Sequence, residues 1–471
     1  MDTHFDLIVI GSGPAGESGA FEAARLGKSV ALIDSRSALG GNCCHTGTLP
    51  SKTLRESSLA LSHAIDSAFL PPVDAARDHP ITMRDFTWRA GQVMARESER
   101  MRNFMERFHI TVVHGTAVFV DDHTVQVDTA GQEAVRLHAD HILIACGSRP
   151  VRPASVPFDG RRIFDSDELL ALEKLPQSLI VLGAGVVGSE YATIFSNLGI
   201  PVHLVDAKAM HLPFIDQEII AYLHREIVKR PLTLHFGIGI TTIAATDAGV
   251  DVTLADGSVL HADAALYALG RGSNADRLAL EKAGVVADKR ATISVDEQYR
   301  TNVAHIAAAG DVIGFPALAA TSWDQGRAAV RAQFGQHGTL AQKLLPYGIY
   351  TIPEISTIGL GEDEAAKAGF VPVVGRCEMG NTARGIISGD QGLLKLVVDR
   401  TTRALLGAHC IGDRATDIIH IAMMCIRLEG TVDDLTEAVF NYPTVSDAIK
   451  VAALDITWQL EAKEKNGVAS A

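Results

Sequence analysis

The sequence is poor in membrane-length apolar runs, in paired cysteines and in positive charge. No stretch approaches the roughly 20 apolar residues of a membrane span, so a bitopic or polytopic membrane protein is not expected. The apolar run at residues 7–10 is too short for a signal-peptide core and follows Asp2 and Asp6 rather than basic residues; it reads as a core strand. Six cysteines, at positions 43, 44, 146, 377, 410 and 425, form no CxxC and no disulfide ladder, which suits a reducing cytoplasm. Lys and Arg total 42 against 56 Asp and Glu, a formal charge of −14 that argues against nucleic acid or an anionic membrane as partner.

What the chain does have is length and pattern. Its 471 residues suit about three domains, and 47% hydrophobic with 21% charged residues is the composition of a globular protein with several cores. Near the start, Leu7-Ile8-Val9-Ile10 runs directly into Gly11-Ser12-Gly13-Pro14-Ala15-Gly16 and then into an Ala-rich helical stretch from Ser18 to Leu26. This is G-x-G-x-x-G between a strand and a helix. Gly11 makes the tight turn, Gly13 lets the backbone approach a pyrophosphate, and Gly16 lets helix and strand pack closely. A second apolar run, residues 29–33, ends in Asp34, at the spacing of an acid that binds a ribose diol.

The arrangement is repeated. Leu179-Ile180-Val181-Leu182 leads into Gly183-Ala184-Gly185-Val186-Val187-Gly188, and residues 202–205 end in Asp206. Two such units imply two dinucleotides, with FAD assigned to the first and NAD(H) or NADP(H) to the second. Asp206 alone favours a free 2′-hydroxyl and hence NAD(H), whereas Lys208 can either swing toward a 2′-phosphate or lie solvated.

The expected fold class is α/β, with two Rossmann-like dinucleotide-binding domains and a C-terminal α+β dimerisation domain. The boundaries read as 1–150 with 275–346 for FAD, 151–274 for NAD(P), and 347–471 for an interface domain. Residues 51–109 read as mostly helical, interrupted at Pro71-Pro72 and around Asp78-His79-Pro80. Strands are expected at 111–113, 117–120, 124–127 and 142–145, then at 264–269, where Gly270 joins the nucleotide-binding residues. A strand at 306–309 ends in Gly310-Asp311, placing Asp311 to accept a hydrogen bond from a ribityl chain, with a helix from near Ala319. The last region alternates strand runs such as 393–398 with helices at 415–429 and 433–439. It has no nucleotide motif, and its apolar strips call for a partner surface, a homodimer or larger homo-oligomer.

With GSGPAG, GGNCCHTGTLPSK, GAGVVGSEYA and AAAGDV in that order, the whole chain resembles the pyridine nucleotide-disulfide oxidoreductase superfamily. Its disulfide reductases carry G-G-x-C-x-x-x-x-C-x-P-S-K. Here Cys43 fills the first cysteine position and Thr48 the second, so that disulfide cannot form. The same reductases end in H-P-T-x-S-E, which here is Tyr442-Pro443-Thr444-Val445-Ser446-Asp447, without the thiol-handling histidine and glutamate. The branch that this chain resembles is that of the soluble, Si-specific NAD(P) transhydrogenases. The shared stretches are the Cys-x-His-x-Gly-Thr-x-Pro-Ser-Lys run, residues 145–150, Ile352-Pro353-Glu354-Ile355-Ser356, and Phe440-Asn441-Tyr442-Pro443-Thr444.

The resemblance implies an FAD enzyme that moves hydride between NADPH and NAD by a ping-pong route. It implies that Lys52 lies near the hydride-accepting nitrogen of the flavin, paired with Glu190. Cys43 then fills the underside of the flavin as a small apolar residue. A vicinal disulfide with Cys44 is geometrically uncommon, and His45 either lowers a thiol pKa or bonds to backbone. Other readings stay open: an NADH oxidase or diaphorase, thiol chemistry through Cys43 and Cys44, or a flavin-binding partner subunit.

Overall fold

The computed structural model of the protein describes residues 3–63, 81–337 and 344–468. The interruptions expected at Pro71-Pro72 and Asp78-His79-Pro80 lie outside these residues. The chain divides into two compact units. One gathers the described residues of Met1–Ser57, His79–Leu175 and Leu266–Leu340; the other gathers those of Ser58–Asp78, Pro176–Ala265 and Ala341–Ala471. The expected three-way partition at 150, 274 and 346 cuts the chain differently, its 151–274 segment falling in both units, and is kept as a proposal.

The first unit is built on a parallel sheet. Its order is Thr111–His114, Val30–Asp34, His4–Ile10 and Val135–Ile144, with Ile306–Ala308 also running parallel to Val135–Ile144. Leu7, Ile8 and Val9 are fully buried because both faces of this sheet are covered, so the strand reads as a continuous apolar run rather than an alternation. Thr124–Asp128 and Thr116–Phe119 extend the sheet antiparallel. The helix Pro14–Arg25 begins four residues before the expected Ser18, since proline at the first helical position supplies the right φ and lacks only an N–H that would be unpaired there. It packs on the helix Ala319–Gln333 so closely that a Cβ on Gly326 would lie 1.9 Å from the Ala15 carbonyl oxygen. Ser148–Pro150 pairs antiparallel with Arg271–Ser273.

The second unit holds three parallel strands, Leu179–Leu182, Val202–Asp206 and Leu232–Phe236, with the helix Val186–Asn197 following the first. A separate five-stranded antiparallel sheet has the order Tyr347–Ile349, Ile355–Gly359, Leu405–Ile411, Leu393–Asp399, Pro372–Glu378. It buries its apolar face against the helices Ala415–Arg427 and Asp447–Val468. Helix 433–439 is found as Val432–Glu437, and the strand expected at 264–269 is found as Ala264–Tyr267. No described helix is long and apolar enough to cross a membrane.

Candidate functional site

The first glycine turn has the geometry that the sequence predicts. Gly11 sits at φ +106°, and a Cβ there would lie 2.3 Å from the Ala145 carbonyl oxygen. A Cβ on Gly16 would lie 1.8 Å from the Gly11 oxygen, so helix and strand meet as closely as backbones allow. Above Gly13 an added Cβ meets nothing within 4 Å, and the helix that starts there has no side-chain cap. The turn therefore leaves open space beside unpaired helix amides, the requirement for a pyrophosphate.

Asp34 is held by Ser12, the variable residue inside the glycine motif. Its Oδ2 accepts from the main-chain N (2.8 Å) and Oγ (2.5 Å) of Ser12, while Oδ1 accepts from Arg36 N. The fully buried Ser12 hydroxyl also accepts from Gly40 N at 2.9 Å. This draws the GGNCC run onto the turn, where a Cβ on Gly41 would lie 2.9 Å from Gly13 Cα.

From there a short helix, Gly41–His45, presents Cys43, and the helix Thr48–His63 starts with Thr48. The half-buried Cys43 thiol is pushed above its ordinary pKa by burial, with the Thr48 hydrogen bond opposing that shift. Cys44 is buried, its Sγ 3.8 Å from Met94 O and 3.9 Å from Ser98 Oγ. His45 Nε2 lies 2.8 Å from Leu39 O, and because a carbonyl only accepts, that ring nitrogen carries its proton. Of the expected alternatives, His45 bonds to backbone. All six cysteines are free. Burial pushes Cys146 and Cys377 up to about 12 and Cys425 to about 11, and raises Cys44 and Cys410 too. Lys52 is half-buried, with Nζ 3.3 Å from Ser51 Oγ.

Asp311, in the 3₁₀ turn Gly310–Ile313, accepts from Ser148 Oγ at 2.6 Å. Ser148 is a junction: its hydroxyl also accepts from Arg271 Nε (2.9 Å), and its carbonyl accepts from Arg271 Nη2 (3.0 Å) and from the Asn42 amide. Asn42 and Asp311, far apart in sequence, are thereby brought together. Nothing local in the sequence marks Ser148 or Asn42, since only the tertiary fold reveals their roles. Gly270 precedes Arg271 at φ +114°, with open space where a Cβ would lie.

In the second unit the turn recurs with one difference. A Cβ on Gly188 would lie 1.8 Å from Gly183 O, and one on Gly185 meets nothing within 4 Å. Asp206 Oδ2 accepts from Ala184 N (2.7 Å) and Oδ1 from Lys208 N (2.8 Å). Ala184 stands where Ser12 stood, so no hydroxyl clamps the acid. The Lys208 side chain is exposed. Glu190 is buried and accepts from Tyr350 N at 2.9 Å. Within the loop after Asp206, the buried His211 joins Ser189 Oγ (2.7 Å) and His224 Nε2 (3.0 Å). Tyr442 is 72% exposed.

The pyridine nucleotide-disulphide oxidoreductase family matches residues 5–326, and its dimerisation domain matches residues 345–453. The chain is 42% identical over 460 residues to the soluble pyridine nucleotide transhydrogenase of Mycobacterium tuberculosis, covering 97% of this chain and 98% of that protein. It is 40% identical over 456 residues to the protein of that name in Pseudomonas putida, covering 96% and 98%. Among solved structures, LpdA from Mycobacterium tuberculosis superposes with a TM-score of 0.88 at 26% identity, covering 96% of this chain and 99% of that one. The HOCl-induced flavoprotein disulfide reductase RclA from Escherichia coli, as its Cu(II) complex, does so with a TM-score of 0.86 at 26% identity and the same coverage.

Proposed function

The chain belongs to the pyridine nucleotide-disulphide oxidoreductase family, and from that premise we propose that it is an FAD-dependent transhydrogenase moving hydride from NADPH to NAD. The observation that carries this reading is the contact of the Cys43 thiol with the Thr48 hydroxyl, where the reductases that this chain resembles have two cysteines. Without a partner sulfur, electrons have no route to a disulfide at this place. Bound FAD supplies a ring that takes a hydride from one nicotinamide and yields it to the next.

The chain's own residues do the rest. The open amides at Gly13, with Asp34 clamped by Ser12, and Asp311 would hold the resident dinucleotide. Gly185 and Asp206 receive the exchanging nucleotide, with Gly270 leaving its backbone accessible. Lys52 would provide positive charge where negative charge develops on reduction, and the resemblance assigns Glu190 to the same catalytic role. Hydride transfer needs no thiol and no proton shuttle, so catalysis rests on holding donor and acceptor at contact distance with water excluded. Tyr442 and Asp447, in place of the histidine and glutamate, are consistent with that.

We assign the C-terminal domain to a homodimer contact, on the strength of exposed apolar side chains such as Leu428 (73% exposed) and Trp458 (64%). The unpaired cysteines support a cytoplasmic location. The function is tested by anaerobic stopped-flow: flavin bleached by NADPH should be reoxidised by NAD, and absence of the second half-reaction rejects the proposal. Asp206 favours a second reading, an NADH oxidase or diaphorase, which requires strict NADH preference with rapid oxygen or quinone turnover.

A further inference from the structure

At the end of the first unit's sheet opposite the glycine turn, histidines gather that the redox chemistry does not use. His305 stands just before the strand Ile306–Ala308, and His123 just before Thr124–Asp128. Their rings stack 3.9 Å apart and 1° from parallel. His138 lies 5.6 Å from the His123 ring and His4 5.1 Å from that of His138, with Asp140 3.7 Å from His4. Asp122, His123 and His305 each offer a donor atom within 4.8 Å of the other two.

We propose that Asp122, His123 and His305 form a binding site for a divalent transition-metal ion. Two imidazole nitrogens and one carboxylate oxygen suit Zn²⁺, Cu²⁺ or Ni²⁺ and leave an open position for water; Mg²⁺ and Ca²⁺ prefer oxygen throughout. The surroundings of His123 match the demands on a ligand. Its Nδ1 lies 2.7 Å from Ala139 O, and because a carbonyl only accepts, the proton sits on Nδ1 and the Nε2 lone pair is left available. A backbone carbonyl fixing the far nitrogen is the usual support of a metal-bound histidine. His305 is tethered to Asp122 twice, with Nε2 2.9 Å from its main-chain oxygen and 3.9 Å from Oδ2. Metal–nitrogen bonds of about 2.0–2.1 Å require these donors to close up. One ring then turns out of the stack, and its nitrogen exchanges the carbonyl for the ion. Asp122 is exposed and both histidines are only half-buried, so the side chains have room to do this.

The test uses the full chain with its flavin, treated with EDTA, desalted and titrated with Zn²⁺ alone by calorimetry and thermal melting. One ion per chain should bind saturably and raise the melting temperature. Asp122→Asn and His123→Gln should each weaken binding about tenfold or more, with the flavin spectrum unchanged to show that the fold persists. Co²⁺ in place of Zn²⁺ should give a visible spectrum without a thiolate charge-transfer band. Absence of binding, an isotherm unaltered in the His123→Gln, His305→Gln double variant, or a thiolate band that locates the ion at cysteine would each overturn the proposal.

Discussion

The two glycine turns share a skeleton and differ in a single hydroxyl. Both place the third glycine 1.8 Å, as a would-be Cβ, from the first glycine's oxygen, and both end the next strand in an aspartate that accepts a main-chain amide. In the first, Ser12 adds a bond to Asp34 and takes one from Gly40, closing the turn against the Cys43 segment. In the second, Ala184 offers no such bond, and the acid is followed by an exposed lysine and a loop that carries buried His211. A turn locked by side chains suits a cofactor that stays, and one left to backbone contacts suits a nucleotide that must leave every cycle.

The largest test of that contrast substitutes the packing glycines. Gly16→Ala should cost about 4 kcal/mol or more and give protein without flavin. Gly188→Ala should stay yellow but lose roughly a hundredfold in the rate of NADPH-driven bleaching. Loss of flavin from both would mean that the turns do not act separately.

Acid should next distinguish the regions. Burial pushes His211 down to about 4 from an ordinary 6.5, so the folded chain favours the neutral ring. The unfolded chain gains a proton that the folded one refuses between these values. This contribution is complete above pH 6.5 and is lost as pH falls through 4, amounting to an order of 3 kcal/mol. His224, packed on it, is shifted the same way by burial. The melting temperature should therefore fall less between pH 7 and 5 in His211→Asn than in the parent; parallel curves would refute the assignment.

Ser12→Ala leaves a buried Gly40 amide unpaired and should cost about 1–2 kcal/mol in urea unfolding, with faster flavin release. Ala184→Ser should change stability by less than about 0.5 kcal/mol. The smallest shift is in selectivity. Asp206→Ser should raise the NADPH-to-NADH ratio of kcat/KM about tenfold, since it removes a charge that repels a 2′-phosphate. An unchanged ratio would remove Asp206 from the nucleotide site.

The parts legible in the sequence were those written locally. Strand, glycine turn, helix and terminal acid follow one another within about thirty residues, and both copies show that order, the first helix starting at Pro14 rather than Ser18. Helix starts were less clear, because Pro14 resembles a breaker until its place at the first helical position is known. What escaped was contact across sequence distance. Ser148 bonds to Asp311 163 residues away, and nothing near either residue signals it. Ser12 was in plain view inside the motif, but its partner Gly40 is 28 residues on, and only the fold makes its hydroxyl a clamp.

The meeting of Cys43 and Thr48 has a corollary for redesign. An oxygen at position 48 already reaches the sulfur at 43, so the helix start seats a side-chain atom where a bridging sulfur could stand. This backbone stands one side chain from an internal electron store, and the substitution Thr48→Cys would show whether the neighbouring scaffold tolerates one.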